Sequence, residues 1–373
     1  QEKQRNWSLD GYVSDMQSVM FQDVKEYWMT DNLIHNRLNF NWYLNKSFTL
    51  GIQARNRFMY GDRIRFDSTG LYPEGIAHDR GIIDLSENIV EEKSFLVNTA
   101  LDRCRLSFEK GKLNVKLGRQ RINWGQTFVW NPNDLFNNYS FFDFDYVEKP
   151  GSDALRIQYY TGTTSVAELV VKTDEKEKVT AAGLYRFNRW NYDIQFIAGL
   201  LDEEDYVVGG GWSGNIKNVS FRGEASYFHP VKNTTDTTGL FFIALSADYS
   251  FSSSAMLQFE IFYGQIPENS EVYSFTQYYG APLSVKNLAF TEYNLFGQFS
   301  YPLNPLANAG LSVMYFPSLK GFFTGPSLSC SLNDNADVSF FTQIFSGEFP
   351  DPLTGKDKRQ EFILGFLRLK WSF

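Results

Sequence analysis

The sequence predicts an all-β chain folded as a single transmembrane antiparallel up-and-down β-barrel of about 18 strands, with 16 as the alternative. Three observations carry this. Polar and apolar residues alternate with period two along almost the whole chain. The alternating segments are about 10 to 15 residues long, above the five or six of a soluble strand and enough for a tilted strand to cross a bilayer. Tight turns and longer links follow one another in strict alternation, as they must when one rim carries short turns and the other long loops.

The segment FTLGIQARNR shows the pattern: Phe48, Leu50, Ile52 and Ala54 share one face, and Thr49, Gln53, Arg55 and Arg57 the other. Segments of this kind fall near 5–19, 32–45, 47–61, 94–109, 112–124, 152–161, 164–173, 178–188, 190–201, 205–213, 217–229, 238–251, 254–265, 287–301, 306–316, 321–332, 335–346 and 359–373. Tight turns are expected at Asn45-Lys46, Lys110-Gly111, Gly162-Thr163, Asn188-Arg189, Ser252-Ser253 and Asn333-Asp334, among others. Longer links are expected at 62–93, 125–151, 230–237, 266–286 and 347–358. An even strand count then places both termini on the short-turn side. Trp42, Trp190, Tyr192, Tyr249, Tyr301, Trp371 and Phe373 lie close to that rim, where an interfacial girdle wants amphipathic rings. The whole of 1–373 reads as one domain.

Composition narrows the function. The chain has 373 residues, 17% of them aromatic, and a formal net charge of -8, which disfavours nucleic acid as a partner. No stretch approaches 18 consecutive apolar residues, so a helical membrane protein is excluded. Two cysteines, Cys104 and Cys330, rule out a disulfide framework and a cysteine-based zinc site; by parity both lie on the apolar face. Three histidines, His35, His78 and His229, leave little for metal or dyad chemistry, so no metal, no cofactor and no catalytic residue is expected. His35 is read on a wet strand face near the outer rim, and His78 beside Asp79 makes no dyad by adjacency alone. The opening QEKQRNWSLDG reads as a mature N-terminus left by signal-peptide removal, without the Cys of a lipid anchor.

The chain ends Leu367, Leu369, Trp371, Phe373 in phase, which resembles the terminal assembly signal of Gram-negative outer-membrane barrels. Residues 118–136, GRQRINWGQTFVWNPNDLF, are similar to porin-like outer-membrane families of the alginate-export kind. The resemblance implies the cell outer membrane of a Gram-negative bacterium, with short periplasmic turns and long extracellular loops. Its partners would be outer-membrane lipid, lipopolysaccharide, a small-molecule solute and envelope proteins. It implies a passive channel or an exporter and names no solute. Leu369, Trp371 and Phe373 are the expected assembly signal.

With the apolar parity outward, the wet faces enclose a lumen. The expected lining is Arg55, Arg57, Arg103, Arg105, Arg156, Arg186, Arg222, Arg368 and Lys370, opposed by Glu109, Glu168, Asp193, Glu224 and Glu260. Arg119 and Arg121 fall on the parity of Leu113, Val115 and Leu117; a bulge near Gly118 is expected to turn both inward, because a lipid-facing charge costs roughly 2–4 kcal/mol near the midplane. Guanidinium groups in a narrow lumen attract anions. The alternative is that they only pair with the acids and stiffen the wall. In the link 62–93, the spacing of Ile82, Ile83, Leu85 and Ile89 suits a short helix. The link 125–151 carries Phe128, Trp130, Phe136, Tyr139, Phe141, Phe142, Phe144 and Tyr146, too aromatic to stay in water. Trp130, Asp134, Phe136, Phe141 and Phe142 are the expected constriction, with Asn131-Pro132-Asn133-Asp134 as its turn. A stacking platform for a glycan or apolar ligand and a docking site are the alternatives. The acidic run Asp202 to Asp205 reads as a solvated loop, or as a divalent-cation contact with lipopolysaccharide. An Arg-lined channel for small anionic solutes is thus the expectation. A non-conducting assembly barrel and an outer-membrane enzyme are its rivals.

Overall fold

The computed structural model describes residues 5–25, 27–137, 148–149, 151–232, 238–266, 284–289, 291–350 and 356–373. Its strands in chain order are β1 (Trp7–Phe21), β2 (Met29–Tyr43), β3 (Phe48–Gly61), β4 (Ser86–Glu91), β5 (Phe95–Lys110), β6 (Leu113–Gln120), β7 (Ser152–Tyr160), β8 (Val166–Thr173), β9 (Val179–Arg189) and β10 (Tyr192–Leu201). They continue with β11 (Asp205–Ile216), β12 (Val219–Pro230), β13 (Leu240–Ser250), β14 (Met256–Gly264), β15 (Tyr293–Asn304), β16 (Ala307–Phe316), β17 (Gly321–Asn333), β18 (Ala336–Pro350) and β19 (Asp357–Ser372). Each pairs antiparallel with its neighbours, and β1 pairs with β19 from Tyr12↔Ser372 to Phe21↔Ile363. The sheet is a closed barrel of 18 strands, β4 being additional to the ring. Closure removes the unpaired edges that a bilayer would not tolerate.

β1 begins and β19 ends on the short-turn rim: Gly11 and Phe373 exchange backbone hydrogen bonds at 3.0 Å, and Trp7 is in register with Trp42. The turns there are tight. Between β9 and β10, Trp190 and Asn191 have φ of 56° and 63°, the left-handed pair that a two-residue hairpin needs. That turn lies two residues beyond Asn188-Arg189, because the strand pairing runs on to Arg189↔Tyr192.

The 18 ring strands match the alternating segments within a few residues, except that β15 begins at Tyr293 and β6 stops at Gln120. The link 62–93 differs in kind. Ile82, Ile83 and Leu85 are not helical, and Ile89 lies in β4. The helices are α1 (Asp62–Arg65) and α2 (Leu71–Ala77) instead. They pack inside the barrel, where Ile64, Tyr72 and Ile76 meet the inward-facing Leu33, Met59 and Leu96. Residues 79–91 then return to the wall. β4 pairs with the upper half of β5, Arg80 accepts a hydrogen bond from Glu175 N at 3.2 Å, and Gly81 bridges Asp174. This segment fills the wall above the short strands β6 and β7. Pairing with an edge outweighs a local helical spacing because a gap there would leave the upper half of β5 unpaired on the side away from β3.

The outer face carries Trp42, Trp190, Tyr301, Trp371 and Phe373 at the short-turn rim, all exposed. Cys104 and Cys330 are free thiols on that face. The inner face is polar toward the short turns. Toward the long links it is apolar, with Phe228, Phe262, Phe296, Phe316, Phe323 and Phe345 almost wholly buried.

Candidate functional site

The site is the segment 121–137, which leaves the wall where β6 ends and packs against inward-facing residues of β7 through β14. Wall carboxylates and amides hold it. Glu168 on β8 accepts from Trp124 Nε1 at 2.8 Å, and Gln195 on β10 donates to the Trp124 carbonyl at 2.7 Å. Glu224 on β12 accepts from Gln126 N at 3.1 Å and from Thr127 Oγ1 at 2.5 Å. Glu260 on β14 accepts from Phe128 N at 2.7 Å and Trp130 N at 2.8 Å, with Val129 N at 3.2 Å. One carboxylate thus satisfies three consecutive amides that the barrel wall would otherwise leave unpaired. Ser226 Oγ donates to Asn133 Oδ1 at 2.7 Å, and Asn133 Nδ2 donates to the Gly210 carbonyl at 2.9 Å.

The segment lies close to β11 because that strand has no side chains in the way. A Cβ at Gly209 would meet Asn133 Oδ1 at 2.8 Å, and one at Gly211 would meet Gln126 Oε1 at 2.6 Å. Three consecutive glycines inside a strand are a sequence signal for close backbone approach that the period-two reading passed over. Trp130 stacks on Phe262 with ring centroids 5.5 Å apart, Trp124 meets Phe136 edge-on at 4.9 Å, and Arg222 lies over the Phe128 ring at 4.4 Å. Trp130, Asp134 and Phe136 are all buried here. Phe141 and Phe142, with Tyr139, Phe144 and Tyr146, lie outside the described residues.

Burial pushes the Asp134 carboxyl up to about 7, against nearby Arg121 and Lys149; burial lowers Lys149 to about 8. A raised carboxyl binds its proton in the packed segment and loses it in water, near its ordinary value of 3.8. Packing is therefore fully supported below about pH 4 and loses this contribution as pH rises through about 7. The segment should be held more tightly at pH 5 than at pH 8. Asp134→Asn should reduce that difference in protease protection of 121–137; an unchanged pH profile in the variant would contradict it.

The lumen cations fall into three groups. Arg37, which sequence reasoning missed, and Arg55 both bind Asp102, the latter at 3.3 Å. Arg156 makes a bidentate pair with Glu168 at 2.7 and 2.9 Å, and Arg222 pairs with Asp248 at 2.5 Å. Arg57 donates to Asn98 Oδ1 at 2.8 Å, and Arg103 to the Glu148 and Lys149 carbonyls at 2.9 and 2.7 Å. Arg105, Arg186, Arg368 and Lys370 face the lumen with no carboxylate within 4.0 Å among the described residues, and so does Lys116, which the sequence did not single out. Lys370 lies over the Tyr12 ring at 4.2 Å, Arg368 over Phe341 at 5.9 Å, and Arg186 donates to Gln195 at 2.7 Å.

Arg119 does not turn inward. The β5–β6 register runs unbroken from Lys110↔Leu113 to Cys104↔Arg119, so Arg119 keeps the outward parity of Leu117, although Gly118 has φ of 107°. Its charge is neutralised in place: Asp79 binds one Nη, Asp153 accepts from Nε and Nη2 at 2.8 Å, and the Ile83 carbonyl accepts at 2.6 Å. The wall-filling segment 79–85 thus covers it, so no bulge is needed. Arg121, past the strand end, lies near Asp134. His35 faces inward and is buried midway along β2 rather than at the rim, opposite Arg57 and Ser14. His78 contacts Glu175 at 3.3 Å, and Tyr227 contacts His229 at 3.2 Å. Of the acidic run, Glu204 binds Lys178 and Asp205 binds Lys286 at 2.6 Å.

A closed 18-stranded ring with apolar outer and partly charged inner faces defines an outer-membrane β-barrel of the porin fold, a fold housed in the Gram-negative outer membrane. Solved structures of similar fold include Occ and Opd outer-membrane porins. OccAB4 of Acinetobacter baumannii matches over 100% of this chain and 99% of its own, with a TM-score of 0.59 at 9% identity. OccK11 (OpdR) of Pseudomonas aeruginosa matches over 98% and 96%, with a TM-score of 0.58 at 7% identity, and OpdQ of the same organism over 99% of both chains, with 0.59 at 6%. At these identities the likeness is one of fold. No family model matches the sequence, and no curated protein matches it.

Proposed function

We propose that the protein is an outer-membrane channel, not an enzyme, that passes small anionic solutes beneath a constriction formed by residues 121–137. The long links face the exterior and the short turns the periplasm. The observation that carries the proposal is the division of the lumen cations. Arg37, Arg55, Arg156 and Arg222 are neutralised by wall carboxylates and serve structure. Arg105, Lys116, Arg186, Arg368 and Lys370 have no carboxylate within 4.0 Å among the described residues, and all lie on the continuous wall from β19 through β1 to β9. Uncompensated cations in a confined space set the sign of the potential a solute meets. Arg105→Gln should move the zero-current potential in a salt gradient toward cation preference. Arg222→Gln, which removes a paired cation, should move it much less. Equal shifts from both would contradict the division.

A second reading has its own observation. Inward-facing phenylalanines line the barrel toward the long links, unlike the polar interior usual for a barrel of this size. They support a barrel that is closed at rest, serving an envelope assembly. Reconstitution in planar bilayers separates the two, because a sealed barrel gives no current steps at any salt concentration.

A further inference from the structure

A cavity of about 400 Å³ opens at the short-turn end of the lumen, on the inner faces of β16 to β19 and beside the Pro302 to Pro305 turn. Its floor is a row in direct register across four strands: Arg368 beside Ser339, Ser339 beside Ser329, and Ser329 beside Asn308. The next row toward the rim sets Lys370 beside Asp337. All of these residues line the cavity. β15, β16 and β17 contain no Asp, Glu, Lys or Arg, so the cavity is charged on one side only. Arg368 and Lys370 have no carboxylate within 4.0 Å among the described residues, although Lys370 is in register with Asp337. Each lies over an aromatic ring instead, Lys370 over Tyr12 at 4.2 Å and Arg368 over Phe341 at 5.9 Å, while Asp337 accepts from Ser331 Oγ at 2.5 Å. Asn308, Ser329 and Ser339 make no side-chain hydrogen bond among the described residues.

Held on ring faces, the two cations keep their N–H donors for a ligand. A wall that needed only stiffness would close the Lys370–Asp337 pair, as Arg156 and Glu168 close theirs. Neighbouring strands are about 4.8 Å apart, so the row runs roughly 14 Å from Arg368 to Asn308, a length that suits a six-carbon chain lying along it. We infer that this cavity binds a polyhydroxylated carboxylate of the sugar-acid kind, with its carboxylate on Arg368 and Lys370 and its hydroxyls along Ser339, Ser329 and Asn308. Serine and asparagine side chains donate and accept at once, as sugar hydroxyls do. The Asp337 oxygen that Ser331 does not use accepts one hydroxyl more. A sugar acid sheds water as it enters, and each of its hydroxyls needs a partner in exchange. An aliphatic acid of equal length meets the same cations and leaves the hydroxyl row unused. The site rests on the channel reading for its role, as the last contact before the short-turn mouth.

Saturation-transfer NMR on the folded protein in detergent tests this, with gluconate, hexanoate and sorbitol as probes. Gluconate and hexanoate share length and charge, and sorbitol has the hydroxyls alone. Gluconate should bind about tenfold more tightly than either. Arg368→Gln should weaken gluconate binding about fivefold or more, and Ser329→Ala with Ser339→Ala should bring gluconate down to the level of hexanoate. Heat-modifiable gel mobility checks that each variant is folded. Equal binding of gluconate and hexanoate, or an unchanged gluconate affinity in folded Arg368→Gln, would overturn the inference whether or not the barrel conducts. A barrel that binds gluconate as expected and passes no current would uphold the site and overturn only the channel reading.

Discussion

Glu260→Ala should convert a narrow barrel into a wide one. The substitution leaves the Phe128, Val129 and Trp130 amides without their shared acceptor. An orphaned buried donor costs roughly 1–3 kcal/mol, so three of them exceed what the Trp130–Phe262 stack returns. The segment then leaves the lumen for water. Single-channel conductance should rise several-fold, and protease should cut within 121–137. Glu260→Gln keeps one acceptor oxygen and should show an intermediate rise. Conductance unchanged in Glu260→Ala would mean that the segment does not narrow the path. Adding Glu224→Ala, which frees Gln126 N and Thr127, should bring no further large rise, since one release suffices.

The second large effect is on stability. Arg119 is the one cation on the outward parity of β6, and it joins three separate parts of the wall: β6, β7 through Asp153, and the returning segment through Asp79 and Ile83. Arg119→Leu leaves two carboxylates facing one another without a cation. Breaking a buried pair from one side costs about 3–5 kcal/mol. The unfolding midpoint in gel-shift assays should fall markedly, with residues 79–91 the first part to become protease-sensitive. Arg119→Leu with Asp79→Asn and Asp153→Asn should recover much of the loss, because no uncompensated charge remains. Failure of that rescue would show that packing, not charge pairing, holds the segment.

How much of this was readable in the sequence follows from which physical signals are local. The ring strands were, because each must present one face to lipid, and Phe48 to Ala54 against Thr49 to Arg57 states that rule without help from distant residues. The helices at 62–65 and 71–77 were not, since they are short and owe their stability to Leu33, Met59 and Leu96 on distant strands. β4 forms because β6 and β7 stop early, a fact of the barrel and not of the segment. The arginines were found by parity, but parity does not tell a paired cation from an unpaired one: Asp102 and Asp248 were needed for that. Arg119 misled because a charge on the lipid parity was assumed to meet lipid, whereas chain from the preceding link covers it. The inward phenylalanines escaped because strands such as β13, with Phe241 outward and Phe242 inward, are apolar on both faces.

The zero-current potential of the unmodified protein in a tenfold potassium chloride gradient tests the transport account most directly. Arg105, Lys116, Arg186, Arg368 and Lys370, which make no ion pair within 4.0 Å among the described residues, should give a potential of the sign set by chloride. A potential of the sign set by potassium, or a reconstituted barrel that passes no current, would contradict it.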